Sequence, residues 1–483
     1  MELDQLLAFR DRRQALQRKL LADFGYPLIA FTMNIPGPVK NSPLIELAFS
    51  QGMVRLTEEL GRPLACRRLR EAAGCAAFLV YDRPAAELKA LCLRLEDEIP
   101  AGRLWDMDVL DSQGEKLNRP QPRRCLLCGE PAFVCSRSRR HPLPQLQERT
   151  QSLLTDLAAS VLSAAAVNAL LWEARLTPKP GLVDRRNNGA HRDMNLALFE
   201  VSARSLHDYF ALACRLGAAR RDCLPQLRRA GLEAEKRMLE ATGGVNTHKG
   251  AIYSFGIFLA ALGSRLLRGS QVFGLAARLA AEQARTAEDE ESPPAEAASG
   301  ITAAKPAAES PEAETAPVIT AAKPAAESPA AEAALVPGPA SAGGKAPSPA
   351  SHGRQVYLRY GLGGARQEAM AGFPLARRAW KFLRKAGPRD CGTTLPKDSA
   401  GLRAFLEILA VCNDTNLLYR GGEAGLAFAR EEARRLLRVP SRRRLALLEA
   451  LDKEFIRRNL SPGGCADILG LGCFLFLTER IWN

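Results

Sequence analysis

Carboxylates, cations and prolines crowd into one stretch of this chain, Thr177 to Met194, TPKPGLVDRRNNGAHRDM. Pro178 and Pro180 remove two backbone donors and hold the chain extended. Gly181 and Gly189 allow close approach or a positive φ. Around them stand Lys179, Asp184, Arg185, Arg186, His191, Arg192 and Asp193. Carboxylates suit a divalent cation and Lys or Arg suits phosphate oxygens, so the set matches a Mg²⁺–polyphosphate ligand. The plain alternative is a solvated loop stiffened by proline. The apolar run before it, Leu153 to Leu176, has helical periodicity, and it predicts a buried helix that delivers the loop.

Later segments add polar groups at predicted helix starts. In GVNTHKGAIYSFG, Asn246, Thr247, His248 and Lys249 precede an apolar helix, an arrangement that favours anions. In RYGLGGARQEA, Arg359 and Arg366 flank glycines that can bring backbone amides to a phosphate. No strand-then-helix unit with a later ribose carboxylate surrounds those glycines, so they are not a dinucleotide fingerprint. FLEILAVCNDTNLLYRGG reads as an apolar helix ending in Asp414, Asn416 and Arg420. Asp414 is a third candidate metal carboxylate, or a helix-end residue. NLSPGGCADILGLG, with Gly463 and Gly464, enters a terminal apolar helix.

The first 150 residues carry a different set. A helix is predicted to about residue 24, with Leu6, Leu7, Leu16, Leu20 and Leu21 inward. Leu28 to Met33 reads as a buried strand that stops at a Gly/Pro loop bearing Lys40, either a phosphate contact or an ordinary connection. Residues 75 to 83 predict another strand and 85 to 98 a helix. In GRLWDMDVLDSQG, period-two spacing puts Asp106 and Asp108 on one strand face. Two adjacent carboxylates repel unless a cation sits between them, so this is a Mg²⁺ clamp or a solvated face. NRPQPRRCLLCGEPAFVCSRSRRH then supplies a guanidinium cluster that includes Arg123 and Arg124. Within it, Cys125, Cys128, Cys135 and His141 have the order C-x2-C-x6-C-x5-H. A structural Zn²⁺ knuckle and incidental thiols are the two readings.

The totals set the bounds. The chain's 483 residues allow two or three domains, and 47% apolar residues allow sizeable cores. A net charge of +14 suits anionic partners, while only 6% aromatics and dispersed basic residues weigh against a base-stacking nucleic-acid binder. Twelve scattered cysteines without a secretory pattern predict a reduced, cytoplasmic protein. No stretch is expected to span a bilayer. Residues 283 to 350 are rich in Ala, Pro and Glu, with ITAAKPAAESP occurring twice, and predict a disordered insertion.

FTMNIPGPVK, WDMDVL and PRRCLLC…CSRSRRH resemble the motifs of apo-citrate lyase phosphoribosyl-dephospho-CoA transferase, over about residues 1 to 150. TPKPGLVD, GVNTHKGAIYSFG, RYGLGGARQEA, DTN and SPGG.AD resemble, in order, those of triphosphoribosyl-dephospho-CoA synthase, over about 151 to 483. The final motif has Cys465 where serine is expected. The resemblance implies two fused enzymes, an α+β N-terminal domain and an all-α C-terminal domain, using ATP and 3′-dephospho-CoA. The first reaction would release adenine. The second would load a serine of the citrate lyase acyl carrier subunit and release pyrophosphate. It implies Asp184, Asp193 and Asp414 for Mg²⁺ or the cationic sugar, and Lys179, Arg186, Lys249 and Arg366 for phosphates. His191 or His248 would protonate adenine. Asp106 and Asp108 would hold Mg²⁺ in the transferase, with Arg123, Arg124 and Lys40 on the leaving pyrophosphate. The rivals are an enzyme of malonate decarboxylase assembly and a non-catalytic basic nucleotide- or RNA-binding protein.

Overall fold

β1 (Leu28–Met33), β2 (Ala65–Glu71), β3 (Gly74–Val80) and β4 (Trp105–Leu110) pair antiparallel in the order β2-β3-β1-β4. This is seen in a computed structural model of the chain, which describes residues 3–219, 222–291, 352–386 and 395–482. Around the sheet lie α1 (Leu3–Phe24), α2 (Pro43–Leu60) and α3 (Ala85–Glu98). Alternation in β4 buries Trp105, Met107 and Val109 against Phe49 and Met53 of α2 and Leu88 and Leu95 of α3. The register sets Thr32 opposite Asp106 and Ala30 opposite Asp108, so both carboxylates share the other face. α1 lies on that face through Phe9 and Leu20. Leu7, expected inward, is exposed. It stands two residues before Phe9, roughly 200° away around the helix.

β2 and α2 carried no clear sequence signal. β2 is an edge strand whose ACRRLRE sequence charges the exposed rim, which blunts edge-to-edge pairing and also hides the strand pattern. α2 starts at Ser42, whose hydroxyl caps the Ile45 amide at 3.3 Å.

From residue 132 onward the described residues form helices: α4 (Ala132–Arg137), α5 (Leu143–Arg175), α6 (Leu196–Ser205), α7 (His207–Ala219), α8 (Leu224–Ala241), α9 (Lys249–Arg268) and α10 (Val272–Glu291). Then come α11 (His352–Tyr360), α12 (Gly364–Met370), α13 (Pro374–Ala386), α14 (Asp398–Leu409), α15 (Thr415–Arg438), α16 (Ser441–Arg457), α17 (Gly463–Leu477) and α18 (Glu479–Trp482). α5 runs unbroken through residue 150, and Leu44, Ile45 and Leu47 of α2 join the same core as Leu154, Leu162 and Phe210.

Three expectations change. α5 and α9 are long and apolar enough to cross a membrane by composition, contrary to the reading that no stretch is; here they are core helices, largely buried against other helices of the fold. The DTN segment starts a helix instead of ending one, because α14 stops at Leu409 and Asp414 caps α15. α10 continues helically to Glu291, past the expected start of the insertion at 283; the repeated ITAAKPAAESP lies outside the described residues.

Candidate active sites

The helical part gathers its motifs around the starts of α9, α15 and α17. A Cβ on Gly250, in the first turn of α9, would stand 2.0 Å from Asp467 Oδ2 of α17. A Cβ on Gly464 of α17 would stand 3.0 Å from Asp414 Oδ2, and one on Gly463 would stand 2.3 Å from Asn416 Nδ2. Gly364, which opens α12 with φ 51°, abuts Thr415 of α15 in the same way. Such close packing needs glycine. It brings the starts of α9, α15 and α17 together, with Asp414 already taking amides of α15 and α17.

The opening loop is threaded into that region. Lys179 is buried, and its Nζ donates to Glu173 Oε1 at 2.5 Å and to the Glu173 carbonyl at 2.7 Å. It is therefore committed to Glu173 and does not project toward solvent as a free phosphate ligand. Asp184 is also buried: Oδ2 accepts the Lys179 amide at 3.0 Å and Oδ1 accepts the Arg186 amide at 2.7 Å. Asp452 of α16 does similar work, accepting from the Gly181 amide at 2.9 Å and from Asn187 Nδ2 at 2.7 Å. These carboxylates shape the loop. Arg186 pairs with Glu449 on the surface.

His191 closes the ring of motifs. Arg420 Nη2 donates to its Nδ1 at 3.2 Å, which leaves the proton on Nε2, 2.7 Å from Ser461 Oγ. Arg420 also donates to the Ala190 carbonyl at 2.7 Å. Burial, and then the Arg420 charge, push the His191 pKa down to about 4, with exposed Asp193 opposing. His248 is buried, with Nδ1 2.7 Å from Ser202 Oγ. Thr247 donates to that same oxygen at 2.6 Å. Burial and the nearby Lys179 charge push the His248 pKa down to about 3. Neither histidine is protonated near neutral pH, so neither can act as an imidazolium acid in the free protein.

Asp414, buried, accepts from the Asn416 amide at 2.9 Å, Leu417 at 3.1 Å and Cys465 at 2.8 Å. Burial nevertheless raises its pKa. It caps α15 and ties it to α17, where Cys465 meets it through both its amide and its side chain. Lys249 pairs with Glu235 at the surface, Asn246 is exposed, and exposed Arg359 stacks 5.2 Å from the Tyr360 ring centroid. Arg366 is exposed close to Tyr253 of α9 and lowers the tyrosine's otherwise raised pKa. Asp184, Lys249 and Arg366 thus do not meet side chain to side chain.

Two buried polar groups around the start of α9 have no hydrogen-bond partner among the described residues, His248 Nε2 and the Tyr253 hydroxyl, and the half-buried Asp467 carboxylate abuts Gly250 there. Burial, and then the charges of Glu173 and Asp414, push the Asp467 carboxyl well up. Buried polar groups are normally satisfied, so this concentration marks a place for a ligand. Glu173, Asp452, Ser461 and Asp467 were not singled out from sequence, although Asp467 ends the SPGG.AD motif.

In the N-terminal part, Arg123 Nη2 bridges Asp106 Oδ1 at 3.1 Å and Glu96 Oε1 at 2.7 Å. Buried Glu96 also takes the Met107 amide at 2.6 Å and Arg119 at 2.9 Å, anchoring the arginine loop to α3. Lys116 Nζ lies 2.6 Å from Asp108 Oδ2. Each carboxylate therefore has its own cation. Arg13 of α1 comes close to both; burial lowers its pKa, the two aspartates oppose this, and its Nε has no partner among the described residues. Lys40 turns to the Ile35 carbonyl at 2.5 Å, and burial lowers its pKa. Arg124 is exposed, and its carbonyl accepts from Arg103. Sγ of Cys125, Cys128 and Cys135 and a ring nitrogen of His141 all lie within 4.8 Å of one another.

Residues 159–483 match the family CitG, ATP:dephospho-CoA triphosphoribosyl transferase. The chain belongs to this family. Residues 1–157 match a second family, CitX, apo-citrate lyase phosphoribosyl-dephospho-CoA transferase, so both family domains lie in one chain. It is 33% identical to "Protein CitXG" of Haemophilus influenzae, covering 99% of this chain and 97% of that protein. A "Protein CitXG" of Leuconostoc mesenteroides subsp. cremoris is 27% identical over 98% of this chain and 97% of its own length. A 2-(5''-triphosphoribosyl)-3'-dephosphocoenzyme-A synthase of Haemophilus ducreyi is 33% identical, covering 72% of this chain and 98% of that protein.

Proposed function

We infer that this chain performs two consecutive steps in making the citrate lyase prosthetic group. In the first, the ribose 2′-hydroxyl of 3′-dephospho-CoA attacks C1′ of the ATP ribose. The C1′–N bond to adenine breaks, and the hydroxyl proton is balanced by protonation of the departing base. The product is 2′-(5″-triphosphoribosyl)-3′-dephospho-CoA. In the second, a serine hydroxyl of the lyase acyl carrier subunit attacks the phosphorus that bears the leaving group. The P–O bond to pyrophosphate breaks and the serine proton passes to solvent.

The observation that carries the first step is the polar cluster at the start of α9: the unpartnered His248 Nε2 and Tyr253 hydroxyl, with Asp467 against Gly250. The amides of the first turn of α9, with Arg366, face the triphosphate. The Asp467 carboxylate lies where positive charge develops on the sugar, and His248 Nε2–H donates a hydrogen bond to the leaving adenine. Lys179, Asp184 and Asp414 hold the loops in place, while Asp193 sets the charge around His191 and Arg420. Asp467, as a carboxylate, fits a hard divalent cation. Mg²⁺ held there would neutralise triphosphate charge.

For the second step, Asp106 and Asp108 on their shared face fit Mg²⁺ once Arg123 and Lys116 turn to phosphate oxygens, and Arg13, Arg123 and Arg124 bracket the leaving pyrophosphate. Fusion raises the local concentration of a scarce intermediate passing from one site to the other. ATP as a substrate and the free cysteines among the described residues support a cytoplasmic location. The test is direct: incubate the chain with ATP, Mg²⁺ and dephospho-CoA and follow free adenine, then add the acyl carrier subunit and follow pyrophosphate. Absence of adenine from a folded, wild-type preparation would sink the reading of the helical part.

A further inference from the structure

We propose that Cys125, Cys128, Cys135 and His141 bind one structural Zn²⁺ that builds the arginine loop beside Asp106. The four ligands come from separate pieces of a short segment. Cys125 and Cys128 lie on a turn whose arms meet through the Cys125 amide on the Glu130 carbonyl at 2.7 Å and the Ala132 amide on the Arg123 carbonyl at 2.7 Å. Cys135 comes from α4. Arg139, with φ 50°, then reverses the chain so that His141 returns just ahead of α5. All four donor atoms end within 4.8 Å of one another.

The separations fit a tetrahedral ion. Zn–S and Zn–N bonds of about 2.3 and 2.05 Å require S···S near about 3.8 Å and S···N near about 3.5 Å. Cys128 Sγ lies 3.5 Å from Cys135 Sγ and 3.3 Å from His141 Nε2. The Leu127 amide points at Cys125 Sγ from 3.5 Å, the outer-shell contact that stabilises a metal-bound thiolate. Three thiolates and an imidazole select zinc over Mg²⁺ or Ca²⁺.

Little hydrophobic core holds this segment: half-buried Leu126 packs on the helical core. Leu127, Phe133 and Val134 are exposed, and Cys135 is its buried apolar residue. Pieces this small with no core of their own need a staple. Three thiolates with Zn²⁺ carry one net negative charge, which Arg124, Arg137, Arg139 and Arg140 in the same segment balance. The ion's position gives it a consequence, resting on the transferase reading above. Arg123, two residues before the first ligand, bridges Glu96 and Asp106. Fixing the knuckle fixes that bridge.

The full-length chain, expressed in zinc-containing medium and purified without chelator, is analysed for metal. About one zinc per chain is expected, and the cobalt-grown protein is expected to show the absorption of tetrahedral cobalt–thiolate. Cys128→Ser and His141→Ala should each lower zinc content more than about tenfold. Transfer to the acyl carrier subunit should fall at least about tenfold in Cys128→Ser, with adenine release within about twofold of wild type as the check on folding. Wild-type protein holding less than about a tenth of an equivalent of any metal, or a native Cys128–Cys135 disulfide found by mass spectrometry, would overturn the proposal. The metal count and the cobalt spectrum stand whether or not the transferase reading holds.

Discussion

Gly250 gives Asp467 its place: a Cβ built on that glycine would stand 2.0 Å from Asp467 Oδ2. The start of α9 and the first turn of α17 can approach this closely because no side chain intervenes. The charges that act on the carboxylate there are those of Glu173 and Asp414.

Gly250→Ala should therefore separate stability from activity. The obstructing atom is the end of a side chain, which can swing aside, and alanine favours the helix by up to about 1 kcal/mol over glycine. Melting temperature should hold or rise slightly. Adenine release should fall at least about tenfold, because Asp467 is displaced, and Asp467→Asn should cost at least about 100-fold. Full activity in both variants would remove Asp467 from the mechanism.

Lys179→Met tests the buried pair. It leaves the Glu173 carboxylate unpaired in the core, and breaking such a pair costs roughly 3–5 kcal/mol. Urea unfolding should show that loss, and Lys179→Met with Glu173→Gln should recover a substantial part of it. If the single variant is as stable as wild type, Lys179 has no structural share and its role as a phosphate ligand returns.

Much of this was legible in the sequence, and the omissions have physical causes. β1, α3 and α8 follow from apolar runs bounded by Gly and Pro, and Asp106 and Asp108 share a face because strand periodicity leaves no choice. The motifs of the helical part were visible as Gly/Pro loops with polar residues. Which of their side chains face inward was not, because that depends on contacts between segments far apart in sequence. Asp184 looks like a metal ligand in one dimension and in three accepts backbone amides, while Asp414 accepts amides and also has donor atoms of Cys412 and Cys465 within 4.8 Å. Glu96 opens an acidic run at the end of α3 and Glu173 lies in the apolar second half of α5, with no local sign that Arg123 or Lys179 would meet them. DTN was taken for a helix end because an apolar run precedes it, whereas Asp414 is an N-cap.

His248 predicts an acid-side loss of stability. An unfolded imidazole titrates near about 6.5, whereas burial and Lys179 hold His248 down at about 3. Between those values the unfolded chain binds the proton and the folded chain does not. Stability therefore rises with pH through this window and is lost as pH falls below about 6.5. At about pH 5 this group alone should cost about 2 kcal/mol relative to neutral pH. Urea titrations across that range should show the slope, and His248→Gln should flatten it. An unchanged slope in the variant would mean that His248 is charged in the folded state.

Asp106→Asn should divide the two reactions. Asp106 lies on the sheet, held by Arg123 at 3.1 Å and by the Thr32 hydroxyl at 3.4 Å, and the asparagine keeps size and hydrogen-bonding capacity while removing the charge. Pyrophosphate release with the acyl carrier subunit should fall at least about 100-fold. Adenine release should stay within about twofold, since Asp467, His248 and the three helix starts lie in a different part of the chain. Both reactions failing together in a folded variant would mean that the shared core, in which α2 packs on α5, transmits the change from the sheet to the helical site, and the claim of two separate sites would fall.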